Sequence, residues 1–138
     1  MNKSIRVIRI AVITGILASN SAYASNSSSL SRAEAKLRTG ELNEAIADFT
    51  KIIKDNQQLG KSSLVIAYNH RGLAEQAIGD DAAAASDFKK AIELDPTPKD
   101  AVAFTERAIA KSAIGDIDGA ASDFKQAYFL TGNSDQDG

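Results

Sequence analysis

Two Ser-x-x-Lys spacings, Ser86 to Lys89 and Ser122 to Lys125, carry the clearest chemical reading in this chain. Three residues apart on a helix, a hydroxyl and an amine share one face, as the Ser nucleophile and its Lys do in penicillin-binding enzymes. His70 is the sole histidine, so a Ser-His-Asp relay would depend on it alone. Both readings weaken on their surroundings. The two Ser-x-x-Lys copies occupy equivalent places in a repeated pattern, and the companion Ser-Asp-Asn and Lys-Thr-Gly motifs are absent. A hydrolase using Ser86 and Lys89, or His70, is therefore the minor alternative to a non-catalytic protein. Asp116-Ile117-Asp118-Gly119 opens like a calcium loop, but Ala120 and Ala121 offer no ligand oxygen and no bidentate Glu follows. It reads instead as a helix start with acids near the positive end of the dipole. No Gly-rich phosphate loop or zinc spacing stands out, so no catalytic residue, cofactor or metal is expected.

The elements carrying these side chains are helices. Ser31 and Glu34 have capping-box spacing, which starts a first helix that ends at Gly40. A second follows from about Leu42 to Lys54, with Ala45, Ile46, Phe49, Ile52 and Ile53 on one apolar stripe. After a polar loop from Asp55 to Ser63, a hairpin spans Leu64 to Pro98 and turns at Gly79-Asp80. Thr97 as cap and Pro98 at the first helical position start a third pair, to about Ala113 and then from Ile117 to Leu130, turning at Gly115-Asp116.

The three turns align. Phe49, Phe88 and Phe124 each fall nine residues beyond their turn glycine, and Ala45, Ala84 and Ala120 each fall five beyond. Ala33, Gly72 and Ala108 stand seven before it, and Ile52, Ala91 and Ala127 twelve beyond. Small residues at facing places let antiparallel helices approach, and a large ring fills the wedge between successive pairs. One hairpin cannot bury its own stripe, but three stacked hairpins can. With Tyr68 and Pro96 added, this pattern over residues 29–132 resembles the tetratricopeptide repeat. The resemblance implies an all-α solenoid of three stacked antiparallel helix pairs, about 29–59, 64–98 and 99–131. It also implies a protein-protein interaction role.

One departure from the family pattern recurs. Arg32, Arg71 and Arg107 stand where the family usually has Leu, each eight residues before its turn, and Asp48, Asp87 and Asp123 each lie eight after. Residues equidistant from the turn of an antiparallel hairpin sit at one height, so three structural ion pairs are expected. Glu75 likewise replaces the usual Tyr. In this family the concave groove is lined by the first helix of each pair. That places Ile66, Asn69, His70, Leu73, Gln76, Val102, Thr105 and Ile109 as candidate partner contacts, with Leu73 and Ile109 as hot spots. Tyr128 and Phe129 mark a second candidate surface, an uncapped C-terminal edge that suits a partner or a homo-oligomer.

Residues 1–24 differ in kind. Lys3, Arg6 and Arg9, the apolar run from Ile10 to Ala18, and Ala22-Tyr23-Ala24 read as a signal peptide. Residues 25–28 are expected to be a polar linker and 132–138 a disordered tail. The expected protein is exported, periplasmic first and extracellular second, with no membrane anchor after cleavage. Cys is absent, so stability must come from packing. Without residues 1–24 the chain holds 13 Lys and Arg against 18 Asp and Glu, a net charge of −5, with no basic cluster for nucleic acid.

Overall fold

The computed structural model describes residues 28–55 and 59–132. The signal-peptide reading, residues 25–27 of the linker and the tail beyond Gly132 lie outside the described residues, whereas Ser28 and Gly132, expected in that linker and tail, belong to helices. Among those described, the chain is all-helical: α1 (Ser28–Thr39), α2 (Leu42–Lys54), α3 (Lys61–Ile78), α4 (Asp81–Leu94), α5 (Ala101–Ala113) and α6 (Ile117–Gly132). Each odd-numbered helix pairs with the one that follows it, and α1, α3 and α5 also form a row of neighbours. The result is a solenoid of three stacked pairs. No helix among the described residues is long and apolar enough to cross a membrane.

The turns follow from backbone sterics. Gly40, Gly79 and Gly115 have φ of 83°, 92° and 91°, the left-handed region that L side chains rarely adopt. Gly79 N–H then donates to Gln76 O and Asp80 N–H to Glu75 O, closing the end of α3. On the other side of each later turn, Asp80 accepts from Ala83 N–H and Asp116 from Gly119 N–H, capping α4 and α6.

Three helix starts differ from the sequence reading, and one of them is α3, which begins at Lys61, inside the loop expected from Asp55 to Ser63. Helix α1 begins at Ser28, so Ser31 lies inside it rather than at its cap, and Glu34 is buried with its Oε1 3.3 Å from His70 Nδ1. The third pair begins at Ala101, not Pro98. Asp100 supplies the cap by accepting from Ala103 N–H at 2.9 Å, and residues 96–99 stay non-helical. Pro98 disfavours helical backbone at Thr97, and the Arg107 guanidinium donates to Pro96 O, which holds this connector.

The core explains the alternation of small and large residues. Phe49 and Phe88 are buried with Ala45, Ala84, Leu73 and Ile109 in one cluster. At Gly72 an added Cβ would lie 3.0 Å from Phe88 Cε1 and 3.3 Å from Ala84 O. Closeness of α3 to α4 therefore depends on the missing side chain at that position.

Candidate functional site

The equidistant Arg and Asp residues meet in all three pairs. Arg71 forms a two-pronged contact with Asp87, Nε to Oδ2 at 2.6 Å and Nη2 to Oδ1 at 2.8 Å. Arg107 grips Asp123 in the same way, both bonds at 2.7 Å. Arg32 makes a single 3.2 Å contact to Asp48, with its side chain 61% exposed against 18% for Arg71. Tyr68 and Phe104 lie under the guanidinium groups of Arg71 and Arg107. Arg71 also donates to Thr50 of the preceding pair, which ties two repeats together.

A fourth register position emerges with the structure. Four residues after each Arg stand Lys36, Glu75 and Lys111. Lys36 Nζ lies 2.8 Å from Asp48 and Lys111 Nζ 2.9 Å from Asp123. The Lys36 and Arg32 contacts hold Asp48 below its ordinary range. Burial pushes Asp123 upward, but the bonds from Arg107 and Lys111 together outweigh it and its pKa falls. The central repeat inverts this charge: Glu75 sits beside Asp87, with Arg71 Nε 3.7 Å from its Oε1. Burial and then the Asp87 carboxylate raise Glu75 from 4.5 to about 7. The position was readable in the sequence as a Lys, Glu, Lys series four residues before each turn.

The first-helix residues expected to line an open groove are mostly interior. Asn69, His70, Leu73, Ile66 and Ile109 are all buried, Asn69 completely. Only Gln76, Val102 and Thr105 remain partly open, and the Thr105 hydroxyl is turned back to Ala101 O. The cause is close packing: α3 has α1 and α5 on its flanks, with Ala67 and Ala74 fully buried along it. Leu73 and Ile109 are thus stacking residues in the core cluster, not accessible hot spots. What stays open on this side is a cleft of about 280 Å³ between the start of α3 and α5, lined by Ile66, Val102, Asp95 and Glu106 among others.

His70 also has a partner set the spacing did not reveal. Its Nδ1 lies 3.3 Å from Glu34 Oε1 on α1 and its Nε2 3.9 Å from Glu106 Oε1 on α5, with all three side chains buried. Phe49 stands edge-on to the imidazole. Asn69 Nδ2 donates to both Glu106 O and Glu106 Oε2. One polar strip therefore crosses three pairs inside the stack. Ser86 and Lys89, by contrast, are exposed on α4, and neither ring nitrogen of His70 is hydrogen-bonded to them. Among the described residues no group of three or more acids or His is arranged to hold a metal.

Among the described residues the C-terminal edge is open. Ile117, Phe124, Tyr128, Phe129 and Leu130 are all exposed, Tyr128 by 66% and Phe124 by 44%. Their counterparts earlier in the chain are covered: Phe49 is 0% and Phe88 1% exposed. The difference is positional, because α2 is covered by α3 and α4 by α5, while the main neighbour of α6 is α5 alone.

Residues 65–98, the central hairpin, match the family model described as tetratricopeptide repeat. No curated protein and no solved structure matches the chain.

Proposed function

The chain is a tetratricopeptide repeat protein, a family of protein-protein interaction modules, and from that premise we propose that it is a non-catalytic docking protein of the bacterial envelope. Its contact surface is the open face of α6. One observation carries this: the ring that is buried in the first two repeats, Phe49 and Phe88, stands in the third as Phe124 with nearly half its surface open. Around it Tyr128 and Phe129 replace Ile92 and Glu93 of the central repeat, adding aromatic surface where a polar end would favour solubility. Aromatic residues gathered at an exposed centre are the usual anchors of protein interfaces. The signal-peptide pattern in residues 1–24 supports export, with the periplasm as destination.

A photo-cross-linking residue at Tyr128, compared with one at Gln76 on the first-helix side, tests the surface in the producing cell. Adducts at Tyr128 and none at Gln76 are expected. Adducts at Gln76 alone would return the contact to the groove. Hydrolytic activity lost in Ser86→Ala would overturn the non-catalytic reading.

A further inference from the structure

Resting on the reading of α6 as the docking edge, we propose that its occupant is a second copy of this chain, paired α6 to α6 in antiparallel fashion about a two-fold axis. The open face carries Ile117, Ala121, Phe124 and Tyr128, at spacings of four, three and four residues. That is the seam of helices packed knobs-into-holes, and it holds no charge. Antiparallel pairing centred between Ser122 and Asp123 sets Ile117 opposite the partner's Tyr128 and Ala121 opposite the partner's Phe124. Large thus meets small at the centre of the seam. Parallel pairing would instead stack Phe124 on its own copy and leave a gap at Ala121.

Charge agrees with the same arrangement. Asp118 and Lys125 flank the seam on the side turned away from the buried Ala120, Asp123 and Ala127. In the antiparallel pair each Asp118 faces the partner's Lys125, giving two equivalent ion pairs. Among the described residues the opposite end of the stack is a poorer mate: those of α1 that are exposed, Ser29, Ser31, Arg32 and Thr39, are all polar. A head-to-tail contact would set Phe124 against them. An isologous pair also closes, whereas head-to-tail stacking would continue into a filament.

A 16-residue helix face is about 24 Å long and covers roughly 500 Å² per copy, the low end for specific association. The dimer should therefore be weak, with a Kd on the order of 10 μM. Sedimentation of the full chain from about 1 to 300 μM brackets that value. A reversible shift from monomer to dimer is expected, abolished by Phe124→Asp with the helical circular dichroism signal retained. Asp118→Lys and Lys125→Asp should each weaken the dimer about tenfold, and the two together should restore it. Recovery in the double swap is specific to self-pairing in this register. A monomer at every concentration, growth beyond dimer, or a double swap no tighter than the singles would overturn the proposal. The Tyr128 photo-probe then separates the two readings. A monomer cross-linked there to a different protein removes self-pairing and leaves the docking edge, while a monomer with no adduct removes both.

Discussion

Replacing Glu75 should stabilise the protein, with a pH dependence of definite sign. Glu75 is the acid of the central repeat at the position where the flanking repeats place Lys36 and Lys111, and it shares its surroundings with Asp87. In the unfolded chain it ionises near 4.5, but in the fold only at about 7. Between those values the folded state holds the proton more tightly, so stability from this group is fully present below 4.5 and falls as pH rises to about 7. At about 1.4 kcal/mol per tenfold, the full difference would exceed 3 kcal/mol. Solvent screening of this partly exposed group reduces it to about 1–2 kcal/mol. Glu75→Gln should therefore be about 1–2 kcal/mol more stable than wild type at pH 8 and nearly equal to it at pH 4.5. Glu75→Lys should gain a further ~0.5 kcal/mol at pH 8 by pairing with Asp87. Urea midpoints from pH 4.5 to 8 measure this, and subtracting the Gln curve from the wild-type curve isolates Glu75. A Gln variant no more stable at pH 8, or parallel curves, would refute the reasoning.

Three repeats of one ion pair also provide graded tests. Double-mutant cycles should give about 1–3 kcal/mol of coupling for Arg71 with Asp87 and below about 0.5 kcal/mol for Arg32 with Asp48, whose Arg is exposed. Equal couplings would show that burial and two-pronged geometry do not set the strength. His70→Ala should destabilise by about 3–5 kcal/mol in urea, because it leaves a cavity beside Phe49 between two buried carboxylates. Gly72→Val should cost about 2–3 kcal/mol, since its branches would drive into the Phe88 ring. A neutral thermal melt would disprove that contact.

The turns, the ring positions and the Arg-Asp pairs were legible because each depends on distance along the chain from one glycine. Gly79 fixes the height at which Arg71 meets Asp87 without reference to anything outside the hairpin. The groove was not legible, since exposure of Asn69 or Leu73 depends on how near α1 and α5 approach α3. That approach depends on Ala67 and Ala74 and on the twist between pairs, neither of which periodicity encodes. The Glu34, His70 and Glu106 strip joins three hairpins whose relative heights no turn determines. The start of α5 was misplaced because Pro98 suits both a first helical residue and an extended connector. Asp100, two residues later, decides between them through its cap bond.

The central claim, that the face of α6 is covered in the working protein, is tested most directly by hydroxyl-radical footprinting of aromatic side chains. Dilute purified protein and protein in the producing cell would be compared. Phe124, Tyr128 and Phe129 should oxidise readily in dilute solution and be protected several-fold in the cell, while Phe49 and Phe88 stay protected in both. Equal oxidation of Phe124 and Tyr128 in the two settings would contradict the account.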